Sequence, residues 1–266
     1  SAFFIFTPMI AILSPAKTLD FESDQQLGPV EAPALLDHSA QVMKRLREFS
    51  PEQLQKLQSI SADLARLNYE RNQAWAKDHG PAAPVRQAAL AFQGDVYQGL
   101  EAPQWSAADM DFARDHLLIL SGLYGVLRPH EAIRPYRLEM GTQLPVEKGR
   151  QLYDFWREPL QEYFAQHIPA EEPLINLASK EYFKVLEKAA VPNPVVQVQF
   201  KDEGKNGQYR VVAFHAKKAR GRMAHFMIQN RLDRVEDLRE FNLDRYYYAP
   251  EASSADTFTF LRDYKA

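Results

Sequence analysis

Three short runs of consecutive apolar residues are spread along the chain, and polar residues follow each of them. The runs are residues 9–13 (MIAIL), 117–121 (LLILS) and 174–177 (LINL). A short, continuously apolar run bounded by turn residues is typical of a strand that is buried on both faces. The pattern therefore predicts three buried strands.

Over much of the remaining chain, apolar residues recur at steps of three and four, which predicts helices. Ser50, Ser61 and Ser106 stand at helix starts, where a serine side chain caps free backbone N–H groups. A break rich in Gly and Pro at residues 80–84 separates two of the helices. The predicted helices cover residues 34–49, 51–59, 61–75, 85–93, 106–117, 151–167, 179–186 and 216–232.

Alternating apolar and polar residues in the second half of the chain predict further strands. Residues 195–202 and 207–214 form a predicted hairpin around a Gly-rich turn, and short strands are predicted at 246–248 and 257–260. Together the elements predict a single α/β domain of the α+β type over residues 9–266. A mixed central sheet surrounded by helices is expected, with residues 1–8 as an extension.

The composition excludes several classes of function. The 266 residues include no cysteine, which excludes disulfides, thiolate zinc sites and thiol redox catalysis. No run of 18 apolar residues occurs, so we expect no membrane span and a cytoplasmic location. The seven histidines lack the spacing of metal ligands, and the common nucleotide-binding and hydrolase motifs are absent. We therefore expect no metal and no cofactor.

Basic residues are concentrated near the end of the chain, although the formal net charge is −3. Residues 215–234 contain six Lys or Arg and one acid, Asp233. These cations lack interleaved acids for pairing along a helix, so they repel one another unless an anion covers them. The segment predicts either an anion-binding site or a solvated helix face. Its polar stripe consists of Lys218, Arg222, His225 and Gln229.

Gly221 lies in the middle of this basic helix. A glycine there costs about 1 kcal/mol relative to alanine. The position therefore predicts close approach of another backbone or of a ligand.

Residues 54–68 match the spacing of a helix-hairpin-helix module, L-x-x-L-x-x-I-x-x-x-x-A. In that module a tight turn and the following helix N-terminus present N–H groups to a DNA phosphate. Here Ser59 and Ser61 occupy the turn in place of the usual glycines. The segment is either a phosphate-binding hairpin or a plain helix pair with Ser61 as N-cap.

Polar loops follow all three apolar runs: SPAKT, SGLYGVLRP and ASKEYF. In an open sheet such loops line a crevice at one edge, whereas a single such loop is more often a helix cap. If the strands are parallel neighbours, Lys17, Arg128 and the basic helix are expected to share that crevice. Ser14 and Thr18 would complete an anion-binding loop around Lys17.

Six strings taken together resemble the YaaA family, the peroxide stress response proteins, over Met9 to about Tyr264. The resemblance implies a single α/β domain with a positively charged cleft and a helix-hairpin-helix. It also implies survival of peroxide stress, partly by limiting iron-linked damage, and binding of duplex and branched DNA. The strings are MIAILSPAKTLD, FQGDVYQGL, LSGLYGVLRP, PYRLEMG, INLASKEYF and FHAKKARGRM.

Carried over position by position, the charged strings assign the cationic site residues, whereas Ser59 and Ser61 are assigned by the spacing of the hairpin alone. We expect DNA phosphates to contact Lys217, Lys218, Arg220, Arg222, Ser59 and Ser61. The expected cleft residues are Ser14, Lys17, Thr18, Arg128 and Arg137. No catalytic reaction comes with the family, so catalytic residues stay unassigned.

A second hypothesis is an enzyme that acts on a nucleotide, a damaged base or a small phosphorylated molecule in the same cleft. The observation behind this hypothesis is that carboxylates stand beside the cations in these loops. A surface that only binds DNA needs positive charge and no carboxylates. Direct iron storage is disfavoured because no Glu-x-x-His ligand spacing occurs.

Overall fold

The computed structural model describes residues 8–77 and 84–264. Its helices are α1 (Leu36–Leu46), α2 (Pro51–Gln58), α3 (Ala62–Ala74), α4 (Ala88–Ala91), α5 (Asp95–Leu100), α6 (Ala107–His116), α7 (Leu152–His167), α8 (Lys180–Ala189) and α9 (Ala213–Gln229). Its strands are β1 (Ile10–Leu13), β2 (Thr18–Leu19), β3 (Arg86–Gln87), β4 (Phe92–Gln93), β5 (Leu117–Ser121), β6 (Gly125–Leu127), β7 (Ala132–Ile133), β8 (Leu174–Asn176), β9 (Val195–Glu203), β10 (Tyr209–Arg210), β11 (Tyr247–Tyr248) and β12 (Thr257–Arg262).

The three apolar runs form strands, as the pattern predicts, and the fold places these strands side by side. β1 pairs in parallel with β8 on one side and with β5 on the other. Every residue of β1 and β5 is buried, which explains why neither run alternates with polar residues. Because the three strands are parallel, their carboxyl ends lie at the same edge of the sheet.

The main sheet of the described residues has eight strands in the order β11-β12-β9-β8-β1-β5-β6, with β10 beside β9. The pairs from β12 to β5 are parallel, whereas β6, β10 and β11 are antiparallel to their neighbours. The prediction of a mixed central sheet is therefore confirmed.

Helices pack on this sheet in two groups. α6 and α9 contact each other and β1, and α5 packs along α9. α7 and α8 contact each other, with α7 against β6 and α8 against β5. No helix within residues 8–77 and 84–264 is long and apolar enough to cross a membrane.

Two local predictions are wrong. Residues 85–93 do not form one helix, because β3 pairs with β7 and β4 with β2, which leaves only the four-residue α4 between them. The predicted hairpin exists, but β10 is two residues long and α9 begins at Ala213. The first error arises because pairing with distant strands overrides a local apolar pattern. Of the predicted break at 80–84, residues 80–83 lie outside the described residues.

Three residues join α2 to α3, and the two helices pack against each other. Ser59 adopts the left-handed conformation, with φ 52° and ψ 53°, that usually favours glycine. Ser61 caps α3, because its Oγ accepts a hydrogen bond from the Leu64 N–H at 3.3 Å. Leu54 and Ala65, at the predicted apolar positions, are buried.

Glycines on both helices allow α5 and α9 to cross at close range. A Cβ atom on Gly221 would collide with the Val96 carbonyl oxygen and would lie 2.8 Å from the Leu100 nitrogen. A Cβ atom on Gly99 would lie 2.9 Å from the Arg222 nitrogen. The glycine inside the basic helix therefore marks close approach of another backbone, one of the two explanations predicted for it.

A buried carboxyl group fixes the turn between β6 and β7. Glu131 accepts hydrogen bonds from the Arg128 N–H at 2.9 Å and from the Ala34 N–H at 3.1 Å. Burial raises the pKa of Glu131 to about 7, although these hydrogen bonds oppose the shift. Below about pH 7 the folded protein therefore holds this side chain mainly in its protonated form.

We expect Gly221→Ala to lower the free energy of unfolding by about 1–3 kcal/mol, because the added methyl group meets the backbone of α5. Urea denaturation measures the change. In an uncrowded helix the same substitution would raise stability by about 1 kcal/mol, so a stabilised variant would contradict the close crossing.

We expect Glu131 to lower the free energy of unfolding as the pH rises from 4.5 to about 7. In that window the folded state holds a proton that the unfolded state has lost, which amounts to about 3 kcal/mol over the full shift. Urea denaturation at several pH values should show this slope in the wild type. Glu131→Gln should lack it, and parallel curves for the two proteins would contradict the raised pKa.

Candidate functional site

A cavity of about 430 Å³ lies at the sheet edge where β1 and β8 end. The loops after the first and third apolar runs meet there, as predicted, and α9 reaches the same place. Its polar lining residues are Ser14, Lys17, Thr18, Gln93, Asp95, Tyr97, Glu139, Ser179, Glu181, Tyr182, Lys217 and Arg220.

Ser14 joins the two strand-end loops. Its Oγ accepts a hydrogen bond from the Ser179 N–H at 2.9 Å and donates one to the Ser179 hydroxyl at 3.3 Å. Ser179 in turn caps α8 by accepting from the Tyr182 N–H at 3.4 Å. The hydroxyls therefore shape the floor of the cavity and cap a helix at the same time.

The FQGDVYQGL string forms the next wall. Gly94, at φ 129°, turns the chain from β4 into α5 in a conformation that L side chains rarely adopt. This turn brings Asp95 to the cavity, and the Tyr97 hydroxyl donates a hydrogen bond to the Ser14 carbonyl at 2.9 Å. Burial raises the pKa of Tyr97 well above its usual value, so the phenol is neutral.

Two of the expected cleft cations share one carboxylate. Glu139 accepts from the Lys17 ammonium at 2.9 Å and from the Arg137 guanidinium at 3.5 Å. Residues 135–140 are not in a strand, and the Arg137–Glu139 ion pair joins two residues of this segment. Lys17 borders the cavity with its charge already compensated, whereas Arg137 is outside the lining.

The two α9 cations at the cavity have no such compensation. The Arg220 and Lys217 side chains make no hydrogen bond or ion pair with any part of the chain that the structure describes. Burial lowers the pKa of the Arg220 guanidinium below its usual range, yet an arginine stays charged at neutral pH. A partly buried, unpaired guanidinium is costly, and an anionic ligand would remove that cost.

The polar stripe of α9 faces the protein instead. Arg222 pairs with Glu101 at 2.6 Å and with Asp244 at 3.6 Å. His225 Nδ1 lies 3.0 Å from the Leu100 carbonyl oxygen at the end of α5. Lys218 is half-buried and outside the cavity lining. The structure therefore separates Lys217 and Arg220 from Lys218 and Arg222, which the sequence groups together.

Arg128 is not at the cavity, so the prediction that it shares the crevice is wrong. β6 runs antiparallel to β5, which carries the residue after Leu127 back toward the amino end of β5. There its guanidinium donates a hydrogen bond to the Arg114 carbonyl at 2.5 Å and lies 3.7 Å from Asp115. The physical reason is the tight turn after β5, which reverses the chain.

The hairpin with Ser59 and Ser61 lies beside the cavity wall rather than in it. The Gln58 amide donates a hydrogen bond to the Arg137 carbonyl at 3.0 Å, and Arg137 contacts Glu139. Thr18, in β2, is exposed and lines the cavity. The hairpin and the cavity are thus linked through the segment 135–140.

Carboxylates complete the site, although none is among the cleft residues that the sequence predicts. Asp95, Glu139 and Glu181 all line the cavity. The Gly141 N–H donates to Glu181 Oε1 at 3.0 Å, which leaves the second oxygen of that carboxylate without a partner in the described chain. Their strings, FQGDVYQGL, PYRLEMG and ASKEYF, contain the signal: each carries an acid within two positions of a tyrosine, arginine or lysine.

Within the described ranges, no group of three or more His, Asp or Glu side chains is arranged to hold a metal ion. The three cavity carboxylates come from separate segments, since Asp95 begins α5, Glu139 is in a loop and Glu181 lies in the first turn of α8. Glu139 is already paired with Lys17. The arrangement is suited to binding a polar ligand that carries both donors and negative charge.

The sheet and this cavity define a mixed α/β protein with a polar crevice at the carboxyl edge of its parallel strands. Residues 9–252 match the family model of the peroxide stress protein YaaA. The chain belongs to that family, as the six strings predict. The family is one of peroxide stress proteins, which supports a stress-response role for this chain.

We expect the neighbouring arginines of α9 to differ in their effect on stability. Arg222→Gln should lower the free energy of unfolding by about 1–3 kcal/mol, because it leaves the half-buried Glu101 without its charged partner. Arg220→Gln should leave stability unchanged or raise it, because it removes an unpaired charge. Urea denaturation of both variants measures this, and equal losses would contradict the assigned pairing.

Proposed function

We propose that this chain is a DNA-binding protein of the peroxide stress response. It binds the phosphate backbone of duplex or branched DNA with weak sequence specificity, and by covering DNA it limits iron-linked oxidative damage. The observation that carries the proposal is the pair of cations on α9, Lys217 and Arg220, which border a cavity without an anionic partner in the described chain.

The ion pairs of α9 indicate that only some of the predicted DNA contacts are available to bind phosphate. Lys217 and Arg220 are available for phosphates, whereas Arg222 is compensated by Glu101 and Asp244. Lys218 is half-buried beside them and contributes to the local positive potential. Phosphate contacts of this kind give affinity that depends on salt and little on sequence.

The hairpin between α2 and α3 supplies a second phosphate contact in this proposal. Ser61 caps α3, whose free N–H groups and dipole favour an anion at that end. The Gln58–Arg137 hydrogen bond holds the hairpin beside the segment that carries Glu139. One DNA backbone would run from the hairpin, past Lys17 and Thr18, to the α9 cations.

The alternative is an enzyme that acts on a small anionic ligand in the cavity. The observation that favours it is the presence of Asp95, Glu139 and Glu181 beside the cations. Carboxylates repel a DNA backbone, but they can accept protons or hydrogen bonds from a ligand. In this reading Ser14 and Lys17 would orient the ligand.

Fluorescence anisotropy with a labelled duplex and a labelled four-way junction tests the DNA proposal. We expect affinity to fall linearly in a plot of log K against log salt. The Lys217→Gln/Arg220→Gln variant should bind at least about tenfold more weakly. The slope of log K against log salt should be smaller in magnitude by about two, because two phosphate contacts are lost.

The matched control is Lys188→Gln/Lys205→Gln, which removes two exposed lysines elsewhere and makes the same change in net charge. It should bind nearly as the wild type does. Equal weakening of both variants would mean that net charge, not the α9 cations, governs binding. A wild type that binds no DNA at low salt would refute the proposal and favour the small-ligand enzyme.

A further inference from the structure

The cavity is much smaller than a DNA duplex but of a size for one small molecule. Ligand pockets in proteins span about 300–1,000 Å³, and this one has about 430 Å³. A duplex bound to the α9 cations would therefore cover the opening without filling it. Whatever enters is a single unit of a polymer or a free small molecule.

The cavity walls differ in chemistry. α9 contributes two uncompensated cations, Lys217 and Arg220, which suit a phosphate group. The first turns of α5 and α8 contribute carboxylates that have free acceptor oxygens, on Asp95 and Glu181. An inorganic phosphate would use only the cations, and the carboxylates would repel it. A ligand that satisfies both walls needs negative charge at one end and N–H donors at the other.

Aromatic and apolar side chains also line the cavity. Tyr97 and Tyr182 line the cavity together with Val96 and Leu177. Burial raises the pKa of both tyrosines, so their rings are neutral at physiological pH. Flat apolar surface of this type supports a stacked ring, as nucleic-acid-binding proteins use it for bases.

We infer that the cavity binds one nucleotide unit, with its phosphate on Lys217 and Arg220 and the N–H groups of its base on Asp95 and Glu181. The inference rests on the proposed DNA binding for the source of the nucleotide, which is then an unpaired base displaced from the duplex. Carboxylates read amino groups of bases in this way, and a base outside the stack is the form that a cavity of this size admits. A free mononucleotide offers the same chemistry.

Binding to three labelled duplexes of one sequence tests the inference. One is fully paired, one carries a single bulged adenosine nucleotide, and one carries an abasic analogue at the same bulge. The bulged adenosine should bind roughly tenfold more tightly than the abasic bulge, since only the first offers a base for stacking and hydrogen bonding. In Asp95→Asn/Glu181→Gln this preference should disappear while binding of the paired duplex is retained or strengthened.

Isothermal titration of the protein with deoxyadenosine monophosphate separates the two sources of nucleotide. One outcome is that the wild type binds the monophosphate, Arg220→Gln does not, and the duplexes show no preference for the bulged base. This outcome would support the nucleotide site, with a free mononucleotide as its ligand.

Salt-dependent duplex binding without either a base preference or monophosphate binding would overturn the nucleotide inference and leave the DNA proposal intact. A wild-type protein that binds none of the three duplexes would refute the DNA proposal. The isothermal titration with the monophosphate would then be the sole test of the nucleotide site. Circular dichroism of each variant confirms that it is folded.

Discussion

The contact of α5 with α9 at Gly99 and Gly221 is the constraint on which the rest of the site depends. Two helix backbones approach there more closely than any side chain would permit. Because α5 begins at the turn through Gly94 and α9 carries the basic segment, this contact fixes both beside the loop after β1. A larger residue at either glycine would separate the helices and move the α9 cations away from the cavity.

The close crossing also decides which charges are free. As α9 lies against the end of α5, Arg222 meets Glu101 and His225 meets the Leu100 carbonyl oxygen. These contacts use the polar stripe of α9 to hold the fold together. Lys217 and Arg220 point toward the cavity, where no described carboxylate approaches close enough to pair with them. One face of α9 therefore stabilises the fold, and another face is available to a ligand.

Carboxylates beside unpaired cations make this crevice different from a uniformly positive surface. A DNA backbone requires only the cations, whereas the acids add acceptors for the donors of a base or of another polar ligand. Such mixed lining favours a ligand with charge at one end and N–H groups at the other. It is also compatible with both proposed functions, because the cations suit a phosphate group in either case and only a ligand inside the cavity also uses the carboxylates.

Much of the fold follows from the sequence alone. The strands around β1 are continuously apolar because they are buried on both faces, and the serine caps of α2, α3, α6 and α8 mark helix starts because each hydroxyl satisfies a free N–H group. Gly221 indicates a close approach because an alanine is otherwise better in a helix. The error at residues 85–93 has the opposite origin, since its short strands depend on partners far away in the chain.

The sequence by itself determined the apolar strand runs, the capped helices, the family and the string of basic residues. Only the tertiary structure decided that Arg128 lies away from the cavity, that Arg137 and Lys17 share Glu139, and that Arg222 is compensated while Arg220 is not. The physical reason is the separation in sequence over which each kind of interaction acts. Capping and periodicity depend on neighbours within a few residues, whereas an ion pair depends on which distant carboxylate the fold brings within 4 Å of a cation.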